Sequence, residues 1–234
     1  MVPNKEVKKL RAFHKDEKLK KDMVIEVLKH QKQDQIIKGT YGQENGQWRG
    51  CAVGCSIHSY NVIHGKNIHT GSHEAYESAL GIPESLAHLE DFLFETMPDD
   101  KAVKWPAEFL KAIPVGADLS LVAAKFIAGT LRDVVKNKHV KDDKKVVASV
   151  LATAKLWEKV IAGKAVKKSA WSAARSAAWS AAWSAAWSAA ESAAESAAWS
   201  AARSAAWSAA WSAAWSAAAY KMSRKLLKIL RASK

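Results

Sequence analysis

The chain has 234 residues, 49% of them hydrophobic, and a formal net charge of +13. That hydrophobic share excludes global disorder, and no run approaches the roughly eighteen uncharged apolar residues of a membrane-spanning helix. Residues 1–40 are too charged to hold the apolar stretch of a signal peptide, so the expected setting is soluble and cytoplasmic. The positive charge gathers at the two ends: residues 1–40 hold eleven Lys and Arg against six acids, and residues 220–234 hold six with no acid. Such ends fit solvated helix faces, and equally attraction to nucleic acid or an acidic partner.

Almost every segment reads as helix, and the predicted fold class is all-α. In "NKEVKKLRAF" and "DEKLKKDMVIEVLKHQKQDQIIK", Leu10, Phe13, Leu19, Met23, Val27 and Ile36 recur roughly every three to four residues or multiples of that, with lysines between. Residues 39–73 change character. They hold seven of the eleven glycines, both cysteines and four of the eight histidines, and no helical period survives. This segment is predicted to be a long structured loop with short strands at most, of the kind that is functional or tied down. Helices resume at "HEAYESAL", stopped by Gly81, and at "PESLAHLEDFLFETM", with Pro83 in its first turn. "DDKAVKWPAEFLKAI" opens on an acidic pair and is predicted to break at Trp105–Pro106. After "LSLVAAKFIAGTLRDVVKNK", the segment "DDKKVVASVLATAKLWEKVIAG" ends at Gly163 with an apolar stripe of Val147, Val150, Leu151, Ala154, Leu156 and Trp157. The predicted organisation is a helical domain over 1–163, a repeat helix over 164–219 and a basic amphipathic helix over 220–234.

The repeat unit is X-S-A-A. Its X positions include Trp171, Trp179, Trp183, Trp187, Trp199, Trp207, Trp211 and Trp215, with Arg175, Glu191, Glu195 and Arg203 between them. Alanine supplies about half the segment, which makes it helical. Four residues overshoot one helical turn by about 40°, so the indoles spiral around the helix instead of forming one face. Eight of them bury roughly 1,200–2,000 Å² if covered, the size of a standard protein–protein interface. The cover is this chain's own domain, a second copy, or a different partner.

Chemistry concentrates in the Cys/His segment. Two thiolates and two imidazoles suit tetrahedral zinc, which makes Cys51, Cys55, His58 and His73 the candidate metal set. The same segment fits a thiol nucleophile, Cys51 or Cys55, with His58 or His73 as base and Glu74 as its orienter. It also fits buried cysteines beside histidines in loop hydrogen bonds. On "ESLAHLEDFLFE", Glu84, His88, Asp91 and Glu95 share roughly one face, next to Glu90; this spacing suits either metal ligation within a bundle or a solvated polar face. There is no P-loop and no GxGxxG.

Taken together, "IKGTY", "GCAVGCSIHS", "YESALGIPESLAHLEDFLFE", "WPAEFLKAIPVGADLS" and the alanine-rich tetrad tail resemble a group of uncharacterised bacteriophage and prophage proteins. The resemblance covers about residues 8–130 and the repeat. In that group the X positions are more often Tyr, Asp or Arg, so the tryptophan-rich version departs from the pattern. The resemblance implies an accessory protein made in a bacterial host's cytoplasm.

The leading expectation is therefore an accessory protein that binds a host or phage protein, or itself, through the repeat helix and so modulates or counters host functions. The alternatives are a metal- or thiol-dependent enzyme centred on Cys51, Cys55, His58 and His73, and a nucleic-acid-binding protein using its basic ends.

Overall fold

A computed structural model describes residues 10–44, 47–137, 140–167, 169–170 and 203–234. Among these the chain is all-α, apart from one small antiparallel hairpin. The elements run α1 (Glu17–Lys32), β1 (Gln43–Glu44), β2 (Trp48–Arg49), α2 (Ala52–His64), α3 (Ala75–Leu80), α4 (Glu84–Thr96), α5 (Asp99–Ala102), α6 (Trp105–Ala112), α7 (Val122–Val134), α8 (Lys144–Ile161) and α9 (Arg203–Arg231). No helix among the described residues is long and apolar enough to cross a membrane.

The chain divides into two units. One comprises Met1–Glu95, Asp99–Val122 and Leu227–Lys234; the other comprises Thr96–Pro98 and Ala123–Leu226. The division does not fall at Gly163. The last residues of the chain belong to the first unit, where Leu227 and Leu230 are fully buried and the Asp118 amide donates to the Lys234 carbonyl at 2.9 Å.

In the first unit, Asp16 caps α1 by accepting from the Lys18 and Leu19 amides. The buried face of α1 is Leu19, Met23, Val27 and His30, the expected stripe. Upstream, residues 4–9 of the expected helix lie outside the described residues, and at its end stands a short 3-10 turn, Ala12–Lys15, with left-handed backbone at Phe13, His14 and Lys15. Tertiary contacts override the helical period here. The Ala12 amide donates to the Ala117 carbonyl, the Ala12 carbonyl accepts from Gly116, and Phe13 is fully buried. The break predicted at Trp105–Pro106 falls two residues earlier: α5 ends at Ala102 and α6 opens at Trp105, so Pro106 starts a helix instead of interrupting one.

The larger correction concerns residues 39–73. The segment is not one long loop, because Ala52–His64 forms a 13-residue helix. The residues Ala52–Ile57 and Ser59 are all buried, so α2 is the interior helix against which α1, α3 and α6 pack. The first half of this helix is covered on all sides and so shows no polar face or amphipathic period to read, and only its second half, with Val62 and His64 exposed, meets solvent.

In the second unit, α8 is capped by Asp143, whose carboxylate accepts from the Lys145 and Val146 amides. Of its expected stripe, Val150 and Ala154 are buried and the remaining members are partly exposed. Arg132 on α7 grips both carboxylate oxygens of Glu158 on α8, at 2.8 and 3.0 Å. Helix α9 runs without a break from the end of the repeat into the basic tail, as alanine-rich sequence lacking Gly and Pro dictates. Within this unit, Ala219, Ser223 and Leu226 are its buried residues.

Candidate metal centre

Cys51 is the N-cap of α2. Its Sγ accepts from the Gly54 amide at 3.4 Å, filling the role that Ser or Asp usually plays. Its own amide donates to the Thr40 carbonyl at 2.7 Å, so residues 39–42 lie across the start of the helix. Two glycines make this approach possible. A Cβ on Gly54 would stand 1.9 Å from the Tyr41 carbonyl oxygen, and one on Gly50 would stand 2.8 Å from the same atom. Pinned by its backbone, Tyr41 sends its phenol to α4, where the hydroxyl donates to Asp91 Oδ2 at 3.1 Å. His73 Nε2 meets the same oxygen at 3.2 Å. One turn further along α4, the Glu95 carboxylate accepts from the Gly39 amide at 3.0 Å.

These contacts converge three acidic groups. Cys51 Sγ, a carboxylate oxygen of Asp91 and one of Glu95 all lie within 4.8 Å of one another. Cys51 is 1% exposed, whereas the cluster opens to solvent on the Glu95 side. Asp91 Oδ1 is buried with no partner at ordinary hydrogen-bond geometry, while the Cys51 thiol is close enough to hydrogen-bond the Asp91 side chain. A buried carboxylate oxygen without a partner calls for an explanation, and an ion, a water molecule or a catalytic role each supplies one.

The electrostatics are those of an acid surplus. Burial pushes the Cys51 thiol well above its ordinary range, and the Asp91 carboxylate adds to the shift. The helix-terminal amides of Gly54 and Val53 oppose this and are outweighed. Burial likewise raises the Glu95 carboxyl, with the Asp91 charge adding and the Gly39 amide and Lys38 opposing. Tyr41 is pushed up to about 12 by burial and then by Asp91. A bound divalent cation reverses each of these effects, since it favours every anionic form at once.

The sequence-derived metal set does not assemble as a unit. Cys51 and His73 meet around Asp91, but Cys55 and His58 stand apart. Cys55 is fully buried one turn along α2, where burial, reinforced by the Glu90 charge, raises its thiol well above the ordinary range. His58 stacks on Trp48 with ring centroids 4.1 Å apart, and its Nδ1 lies 3.3 Å from His30 Nε2. Glu74 is exposed at the start of α3, and His88 stacks on His73 at 4.0 Å while its Nε2 meets Glu84 at 3.4 Å. Asp91 and Glu95 carried a legible signal, two carboxylates four residues apart on one helix face. Tyr41 carried none beyond its place in a glycine-rich stretch.

The donors fit a borderline-soft divalent ion. A thiolate beside carboxylates selects zinc over magnesium or calcium. Three protein donors with one solvent-facing side match the open arrangement in which zinc holds and acidifies a water molecule. A thiol nucleophile fits less well. Cys51 is buried, its thiol resists ionisation, and His73 hydrogen-bonds the Asp91 carboxylate rather than the sulfur.

Of the tryptophans expected to form a binding surface, Trp171, Trp179, Trp183, Trp187 and Trp199 lie outside the described residues. Trp207, Trp211 and Trp215 lie on α9, and Trp215 is 38% exposed. Comparison with protein-family models, with curated proteins and with solved structures returned no match.

Proposed function

We propose that the first unit carries a zinc-type metal centre, with Cys51, Asp91 and Glu95 as ligands and one position open for water or substrate. The reading makes the protein a metal-dependent enzyme of hydrolytic type. The convergence of one sulfur and two carboxylate oxygens within 4.8 Å, beside a buried Asp91 oxygen with no partner at ordinary hydrogen-bond geometry, carries it. When bound, the ion supplies a Lewis acid and an activated water. The chain's own groups orient Asp91 and leave the Glu95 side open. Metal analysis after zinc reconstitution tests the reading: one equivalent in the wild type and in Cys55→Ser, none in Cys51→Ser. Substoichiometric zinc in the wild type, or full retention in Cys51→Ser, sinks it.

A second reading concerns the repeat. The tetrad tryptophans form an assembly surface for a second copy or a host or phage protein, which accords with the accessory role implied by the resemblance to phage proteins. Its support is Trp215, more than a third exposed on a helix that continues the tetrad period. Deleting the tail is a poor test, because Leu227 and Leu230 belong to the core of the first unit. Solution mass should instead be compared between the full chain and a variant with the eight repeat tryptophans changed to alanine. Equal monomeric masses refute self-assembly.

A further inference from the structure

We infer that Tyr41 and His73 act as positioning residues that hold Asp91 to one-oxygen coordination and so keep a place on the metal open. The inference rests on the metal centre proposed above. Both donors go to the same atom: the Tyr41 hydroxyl at 3.1 Å and His73 Nε2 at 3.2 Å occupy Oδ2. Oδ1 is buried with no partner at ordinary hydrogen-bond geometry. An ion engaging both oxygens must break these two hydrogen bonds, whereas an ion on Oδ1 alone breaks neither. With the Cys51 sulfur and one Glu95 oxygen, a single Asp91 oxygen gives three protein donors, and tetrahedral zinc then has one vacant place. Two-oxygen binding would fill it.

Each positioning group is itself held from several sides. The Tyr41 backbone is clamped by the Cys51 amide on Thr40 and by the close approach at Gly50 and Gly54. The His73 ring stands edge-on to Tyr41, with centroids 5.5 Å apart, and lies flat on His88 at 4.0 Å with 12° between planes. His88 is in turn tied to Glu84. Tyr41 is 41% exposed, so removing its hydroxyl disturbs little packing. Partners of this kind, outside the ligands but bonded to them, commonly set ligand orientation in metal sites.

Cobalt substitution of the full chain tests this. The probe is Co²⁺ alone, and the proteins are wild type, Tyr41→Phe, His73→Phe and His73→Gln. The wild type should show intense visible bands of a four-coordinate ion together with a thiolate-to-cobalt ultraviolet band. Tyr41→Phe and His73→Phe should keep the stoichiometry and the ultraviolet band. Their visible bands should weaken several-fold as Asp91 swings to two-oxygen binding. His73→Gln, which retains an N–H donor, should stay close to wild type. Unchanged visible bands in Tyr41→Phe and His73→Phe with cobalt bound overturn this inference and leave the metal centre standing. A wild type that takes up no cobalt removes the centre and the inference together.

Discussion

If Cys51 ligates the ion, binding must displace the thiol proton, and affinity must depend on pH in a defined way. Below the pKa of a displaced group, each pH unit changes affinity about tenfold, or about 1.4 kcal/mol. For an ordinary thiol near pKa ~8.5 the gain fades above about pH 8. The Cys51 thiol is pushed well above that range, first by burial and then by Asp91, so the gain should persist. Between about pH 7 and 9, zinc affinity should therefore rise by about a hundredfold. Competition against a chromophoric chelator of known proton equilibria measures the slope. A curve that flattens near pH 8 refutes the buried, Asp91-facing thiol. A flat curve throughout, with stoichiometric zinc, refutes Cys51 as a ligand.

Two further outcomes follow from the same unit. Glu90 is fully buried, and burial raises its carboxyl well above 4.5 while the Tyr76 hydroxyl opposes and the Asp91 charge adds. The folded chain thus holds a proton that the unfolded chain releases. The resulting stability is complete below the unfolded value and is lost as pH rises towards the folded one, at about 1.4 kcal/mol per unit. Urea midpoints at about pH 5 and 7 should differ less in Glu90→Gln than in wild type; equal differences would contradict a protonated Glu90. Gly54→Ala sets a Cβ 1.9 Å from the Tyr41 carbonyl, a backbone atom that no rotamer can move. Urea unfolding should show a loss of about 1–3 kcal/mol, and zinc affinity should fall as Tyr41 is displaced; wild-type values for both would refute the clamp.

The surface helices were legible because each has one wet face. The stripe of Leu19, Met23 and Val27 on α1 and the Asp143 cap of α8 follow from period and capping alone. Helix α2 was not legible, because its first half, Ala52–Ile57, is buried all round and offers no contrast between faces. The candidate site was half legible. Cysteine and histidine composition drew attention to residues 51–73, and spacing singled out Asp91 and Glu95. Joining the two required knowing that α4 passes the start of α2. The grouping of Cys51 with Cys55 and His58 failed for a packing reason: their i, i+4, i+7 spacing puts them on one side of α2, but there Cys55 is sealed in the core and His58 is taken up by Trp48 and His30.

The sequence alone determined an all-α class, most helix boundaries, the basic ends and the helix that closes the tetrad repeat over residues 203–219, because propensity, capping and period act over a few residues. The tertiary structure decided which acids meet. Cys51, Asp91 and Glu95 are brought together where the side chains of α4 reach the capped start of α2, with Tyr41 laid over them through two glycines. Contacts between residues forty apart in the chain depend on how buried surfaces fit, and no local pattern encodes that fit.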